Sequence, residues 1–302
     1  MDWNSSIKGF YQYLLLEQGL ARNTLNSYQT DIEYFALYCS EREPAVRIRE
    51  VMTEHVEEFL AHLYDRKVQA STQARYLSSL KAFFRYALLE KIVENNPVDV
   101  LQGPKLQRKL PEVLSVGEVD QLMDSIDLSE NHGMRNRAML EILYACGLRV
   151  SELCGLKLSN LHPEIELLKV HGKGNKERWV PVSKLALDQL TLYIESERSS
   201  GKIVDQDIVF LNNRGKKLSR QSVFLIIKKY CGLAGIDKNV SPHTLRHSFA
   251  THLLKGGADL KAIQDMLGHE SITTTEIYTH IDQEYLRKAI LEYHPRNKAG
   301  KV

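Results

Sequence analysis

The sequence predicts a mainly α protein: an N-terminal four-helix domain, then a mostly helical second domain carrying one small β-hairpin. Three observations predict it. Apolar residues recur at three- and four-residue spacing through the first hundred positions. Residues 103–111 break that pattern with Gly, two Pro and basic residues. Only one stretch, within 166–182, alternates as strands do. The chain of 302 residues fits about two domains at roughly 150 residues each.

Taken in order, Ile7, Phe10, Tyr11, Leu14 and Leu15 put an apolar stripe on one face of a first helix. Asn23 or Thr24 caps a second, running to about Glu41 with Tyr28, Ile32, Phe35 and Tyr38 inward. Thr53 caps a third through Leu63, with Val56, Phe59, Leu60 and Leu63 on one face. Ser71 begins a fourth, with Tyr76, Leu80, Phe83, Phe84 and Leu88 inward, stopped by Asn95, Asn96 and Pro97. Four helices of this size make a small bundle, giving a domain at 1–102. Residues 103–111, GPKLQRKLP, read as an exposed linker. Ser115 and Glu118 form a capping box that opens the second domain, 112–302. Within it, ELLKVH (166–171) and ERWVPV (177–182) flank a Gly-Lys-Gly-Asn turn, the pattern of a hairpin. Residues 282–293 form an amphipathic C-terminal helix with Tyr285, Leu286, Ala289, Ile290 and Tyr293 on one side.

Composition narrows the class. Apolar residues are 43% and charged residues 26%, ordinary globular proportions that argue against wholesale disorder. No run approaches the roughly 18 to 20 apolar residues of a membrane span, and the start, MDWNSSIKGF, lacks the basic and apolar segments of a secretory signal. Four scattered cysteines with no CxxC pair read as reduced thiols of a cytoplasmic protein. The net charge of +2 neither shows nor excludes a basic face, since residues 1–110 carry 14 basic and 14 acidic side chains.

Four segments of the second domain carry more polar chemistry than packing requires. In ACGLRVSEL, Arg149 follows a helix-ending Gly147, and Ser151 can cap the next helix, so the arginine sits between two helix ends where an anion can be met. The tip GKGNKER presents Lys173, with Lys176 and Arg178 beside it, on a tight turn. In SPHTLRHSFATHLL, Ser241 and Pro242 begin a helix whose buried stripe is Leu245, Phe249 and Leu253. At about 100° per residue, Arg246 borders that stripe and His243 lies further round on the same side. His243 and His247 stand four apart, but Thr244 occupies the place of the HExxH glutamate and nothing adds further ligands, so no metal site is expected. In MLGHESITTTEIYTHI, Gly268 ends a helix, His269 sits just past it, and Tyr278 follows. Each segment alone is better read as a solvated loop, a surface turn or a core residue.

Together, in this order, the four segments resemble the tyrosine recombinase family, over nearly the whole chain and most closely its Xer branch. LPEVLS at the interdomain junction and the late YHPR point the same way. The resemblance implies that 1–102 is a core-binding, DNA-binding domain and 112–302 the catalytic domain. It implies an active site of Arg149, Lys173, His243, Arg246, His269 and Tyr278, with Tyr278 as nucleophile. In that scheme the tyrosine displaces a 5′ oxygen and leaves a 3′-phosphotyrosyl ester, an exchange that needs no metal or other cofactor. It further implies double-stranded DNA as partner, a related recombinase subunit (XerC-like) in a tetrameric synapse, an FtsK-like translocase, and resolution of chromosome dimers at a dif-like site during segregation. The C-terminal helix docks on a neighbouring protomer in that family. Arg75, Lys81 and Arg85 are candidates for reading DNA from the fourth helix, a solvated basic face being the equal alternative. Rival readings are a type IB topoisomerase-like enzyme, a mobile-element integrase, and a helical DNA-binding module without catalysis.

Overall fold

The computed structural model describes residues 2–20, 22–104, 112–172, 177–268 and 280–298. The chain divides into two compact units, Met1–Lys109 and Leu110–Val302. The first holds α1 (Trp3–Leu16), α2 (Arg22–Ser40), α3 (Thr53–Asp65) and α4 (Ala70–Leu89). Asp2 caps α1 by accepting the Ser5 backbone N–H at 2.8 Å. Phe10, Phe35, Phe59, Phe83 and Phe84 are fully buried, and the Phe35 and Phe59 rings meet edge to face at 5.0 Å. The carboxylate of Asp31, wholly buried, joins α2 to α4: both its oxygens accept from Arg75 at 2.6 Å, and one accepts the Ser79 hydroxyl at 2.6 Å.

Several expected details differ. Leu15 and Leu88 are 43% and 42% exposed, because the buried stripe on each helix is narrower than the apolar run; Leu77 rather than Leu88 extends the inward face of α4. Helix α2 has already begun at Arg22, so Asn23 and Thr24 lie inside its first turn. Met52, not Thr53, is the N-cap of α3, its backbone N–H donating to His55 Nδ1 at 3.0 Å. Helix α4 opens at Ala70, one residue before Ser71.

The second unit opens with α5 (Val116–Asp124), where Ser115 Oγ accepts the Glu118 N–H at 3.2 Å and Glu118 Oε2 accepts the Ser115 N–H at 2.7 Å. Helix α6 (Gly133–Ala145) is buried without a break from Ala138 to Ala145, as a helix covered on all sides must be. It turns into the short α7 (Val150–Cys154) through Gly147, whose φ is +56° and whose Cβ, if present, would stand 2.4 Å from Phe249. A three-stranded antiparallel sheet follows: β1 (Leu161–His162), β2 (Leu167–His171) and β3 (Glu177–Pro181), in the order β1-β2-β3. The hairpin pairs Leu167 with Pro181 through to His171 with Glu177. The two-residue β1 has no alternation to reveal it in the sequence.

Helices α8 (Lys184–Leu192) and α10 (Pro242–Gly256) pack on α6, while α9 (Arg220–Leu233) packs on α5, α7 and α10, and α11 (Leu260–Leu267) on α10 and β3. Ser241 caps α10, and Leu245, Phe249 and Leu253 are fully buried on it. Helix α12 (His280–Tyr293) buries Leu286, Ala289 and Ile290 in this same core, while Tyr285 is 46% exposed, outside the stripe. Helix α13 (Pro295–Lys298) follows α12. His294 is fully buried, its ring 4.9 Å from that of Tyr144, and Arg296 pairs with Asp120 at 2.8 Å and lies 3.1 Å from Glu141.

Burial holds the His294 imidazole down to about 3, the Arg296 charge and His252 adding to the effect. The unfolded chain, with an ordinary histidine near 6.5, therefore binds a proton that the folded chain refuses. Stability should fall as pH drops from about 6.5, before carboxylates titrate. His294→Gln should flatten that slope between about pH 6.5 and 5.5 in urea melts, leaving the smaller part due to His252, also depressed by burial. An unchanged slope would contradict the burial of a neutral His294.

Candidate active site

The last turn of a helix leaves carbonyls without intrahelical partners, at the negative end of its dipole. Helix α11 ends at Gly268, in the left-handed conformation with φ +64°, and three consecutive carbonyls there accept from three arginines. Arg178 Nε donates to Met266 O at 2.8 Å, Arg246 Nη2 to Leu267 O at 2.6 Å, and Arg149 Nη2 to Gly268 O at 2.8 Å. Each arginine comes from a different element: Arg149 from the start of α7, Arg178 from β3, Arg246 from α10.

Further bonds fix the group. Arg246 Nη1 donates to Gly147 O at 2.7 Å, tying the α6–α7 turn to the end of α11. Glu152, 5% exposed, accepts both Nη atoms of Arg178, at 2.7 and 2.9 Å, a paired geometry suited to guanidinium and carboxylate. Its Oε1 also accepts Arg149 Nη1 at 2.9 Å, and its Oε2 the Arg149 backbone N–H at 2.8 Å. Three arginines against one carboxylate leave an excess of two positive charges. Burial pushes the Arg246 guanidinium down to about 10, with Arg149 adding, Glu152 opposing and Arg178 adding, so it stays protonated at neutral pH. Burial alone would raise the Glu152 carboxyl, but the bonds from Arg178 and Arg149 hold it below the usual range. The Arg149 side chain remains 31% exposed, so the cluster presents charge to solvent. Such an arrangement can hold the oxygens of an anion bidentately.

Of the residues singled out in the sequence, Arg149 and Arg246 are brought together on adjacent carbonyls of one helix end. His243 lies in the first turn of α10, exposed, three residues before Arg246. Lys173, His269 and Tyr278 lie outside the described residues; the described chain resumes four residues after Lys173, ends one residue before His269, and resumes two residues after Tyr278. Among the described residues no group of three or more His, Cys, Asp or Glu could hold a metal ion.

Two site residues escaped the sequence reading. Arg178 is no hairpin-tip residue but 6% exposed on β3, and Glu152, not Ser151, satisfies the start of α7. Strand alternation carries the first signal, since Arg178 shares the inward face of Val180. Glu three residues after the cap position carries the second.

On α4, Arg75 is engaged with Asp31 and sits 5.2 Å over the Tyr76 ring, whereas Lys81 is half-buried and Arg85 exposed. Helical geometry sets Lys81 and Arg85 on one stripe and Arg75 on another.

The comparisons with known proteins follow this division. Residues 112–285 match the phage integrase family and residues 7–91 the phage integrase N-terminal SAM-like domain. The chain is 40% identical over 294 residues to the tyrosine recombinase XerD of Staphylococcus epidermidis, covering 97% of this chain and 99% of that one. It is 42% identical over 291 residues to the XerD of Staphylococcus aureus, covering 96% and 98%. Among solved structures, the XerH site-specific recombinase bound to a palindromic difH substrate, after cleavage, aligns with TM-score 0.68 and 27% identity, over 88% of this chain and 79% of that one.

Removing Arg75 leaves a buried carboxylate without its cation. Arg75→Ala should destabilise the protein by about 1–3 kcal/mol, below a fully buried pair because Arg75 is half exposed, whereas Lys81→Ala and Arg85→Ala should each stay within about 0.5 kcal/mol. Denaturant melts check this; equal effects for all three would remove the structural role given to Arg75.

Proposed function

Since the chain belongs to the phage integrase family, we propose that it is a site-specific tyrosine recombinase that cuts and rejoins double-stranded DNA through a 3′-phosphotyrosyl intermediate. The observation that supports this reading is the convergence of Arg149 and Arg246 on one helix end with unbalanced positive charge, immediately before His269.

The chemistry follows from what each group can give. The Tyr278 hydroxyl attacks the scissile phosphorus; its O–P bond forms as the bond to the 5′ oxygen breaks. A phenol with a pKa near 10 is protonated at neutral pH, and His243 accepts its proton. The five-coordinate transition state gathers negative charge on the non-bridging oxygens, which Arg149 and Arg246 hold and His269 supports with a hydrogen bond. Donors fixed in advance of the reaction are worth a few kcal/mol each. Lys173 protonates the departing 5′ oxygen. The ester formed conserves the energy of the ester broken, so the reverse attack by a 5′ hydroxyl rejoins a strand without an energy cofactor.

On this reading the 1–102 unit and the 112–302 unit are the DNA-binding and catalytic domains, and 103–111 joins them. The related XerH, solved on its difH substrate, supports DNA as the substrate here. The motifs' resemblance to the Xer branch extends the reading to a XerC-like second subunit in a tetrameric synapse, an FtsK-like activating translocase, a cytoplasmic location and the resolution of chromosome dimers.

Incubation with nicked duplex suicide substrates should give a covalent protein–DNA adduct that Tyr278→Phe abolishes. No adduct on any dif-like site would favour a non-catalytic binder; adducts on arbitrary sequence would favour a topoisomerase. If α4 meets the DNA backbone, Lys81→Ala and Arg85→Ala should each reduce the salt dependence of binding by about one unit of slope, and an unchanged slope removes α4 from the interface.

A further inference from the structure

Arg178 takes no part in the chemistry just described, yet it is the most heavily bonded arginine of the cluster. It is 6% exposed, and its three guanidinium nitrogens are engaged: Nε with Met266 O, Nη1 with Glu152 Oε1, Nη2 with Glu152 Oε2. A side chain so placed does not touch DNA. Its influence must run through its partners, and these belong to three different parts of the site.

The first is Arg149, reached through Glu152. One carboxylate oxygen, Oε1, is shared by Arg149 Nη1 and Arg178 Nη1. While Arg178 neutralises Glu152, Arg149 needs only one of its side-chain nitrogens there and keeps Nη2 on Gly268 O. Without Arg178, the buried carboxylate has Arg149 as its one bonded cation. The stable response is then for that guanidinium to turn onto both oxygens, which withdraws its charge from solvent and frees the Gly268 carbonyl. The second part is the end of α11. Arg178 holds Met266 O, and a Cβ at Gly268 would stand 3.2 Å from Arg178 Cδ, so its stem packs tightly on the residue that precedes His269. The third is β3 itself, the strand that returns from the hairpin loop carrying Lys173.

We propose that Arg178 is a positioning residue of the recombinase: by clamping Glu152 to the end of α11 it keeps the Arg149 charge available to the phosphate and holds β3 against the last turn of α11. The proposal rests on the recombinase reading above. Lysine does not replace it, because an ammonium lacks the planar fork that meets a carboxylate and a carbonyl at once.

The groups facing Glu152 are Arg149 on α7, Arg178 on β3 and Arg246 on α10. The last turn of α11 contributes carbonyls, Cys146 is a buried thiol nearby, and His269 follows Gly268 in the chain. The carboxylate is held ionised against burial first of all by Arg178. Loss of Arg178 therefore raises the pH at which Glu152 takes up a proton, and catalysis that depends on ionised Glu152 fails progressively as pH falls.

The test uses the full chain on a nicked suicide substrate, measuring DNA affinity and, separately, the rate of adduct formation at saturating DNA across pH. Arg178→Met should leave affinity within about twofold of native while slowing adduct formation about 10- to 100-fold, the scale of a roughly 1 Å misplacement. Its acid limb should move to higher pH. Arg178→Lys, which keeps the charge, should slow the reaction with the acid limb near native. Combined with Glu152→Gln, which removes the titrating group and leaves no lone buried carboxylate, Arg178→Met should shift the limb no further. This double variant, with Arg178→Lys, carries the test if Arg178→Met alone fails to fold. Native rates and pH profile in Arg178→Met would overturn the proposal. So would losses of affinity and rate in equal proportion with an unmoved acid limb, which mark general loosening. If native protein forms no adduct at all, the recombinase reading fails first, and the comparison of variants is not needed to show it.

Discussion

Gathering three guanidinium groups in one place, two of them buried, is unfavourable unless each finds acceptors and part of their charge is balanced. The end of α11 meets that demand. Its last three carbonyls lack helical partners and lie at the negative pole of the helix, and each takes one arginine. Glu152 balances one of the three charges and no more. The geometry of the rest follows. The α6–α7 turn approaches α10 through a glycine that leaves room for Phe249, and its carbonyl receives Arg246. Strand β3 turns Arg178 inward, and α7 starts from the residue whose side chain points toward α11. A site that carries excess positive charge before any ligand arrives needs little rearrangement when a phosphate does.

Much of this was legible in the sequence where local rules act alone. The capping box at Ser115, the helix start at Ser241 and Pro242, the buried stripe of α10, the glycine stops at 147 and 268 and the two hairpin strands follow from propensity and periodicity, and they appear as expected. The misreadings share a cause: the tertiary partner decides. Leu15, Leu88 and Tyr285 continue an apolar run but face solvent, because the surface each helix packs on is narrower than the run. Thr53 and Ser71 have good capping side chains, yet the chain enters those helices one residue earlier. Arg178 reads as a solvated tip residue beside two lysines; strand alternation with Val180 turns it inward, and its pairing with Glu152, 26 residues away, makes that burial tolerable. The type of chemistry could be read from the order of the motifs; how Arg149 and Arg246 meet on successive carbonyls could not, since no local pattern encodes which side chains reach the end of α11.

The C-terminal region shows the same contrast between pattern and partner. The amphipathic face of α12 is satisfied within its own unit by Leu286, Ala289 and Ile290, and the YHPR segment after it is locked by a fully buried His294 and by Arg296 against Asp120. A helix anchored on both its apolar face and its following turn belongs to the core of the unit. Any exchange of this segment with a neighbouring protomer has to replace those contacts with equivalent ones.

The central claim, that Arg149 and Arg246 serve one phosphate, is tested most directly by an experimental structure of the Tyr278→Phe protein on an uncleaved duplex site. The account predicts a single phosphodiester whose non-bridging oxygens lie about 2.7–2.9 Å from nitrogens of both guanidinium groups. Guanidinium groups that contact two different phosphates, or that keep only their carbonyl and carboxylate partners while the DNA passes elsewhere, would contradict it.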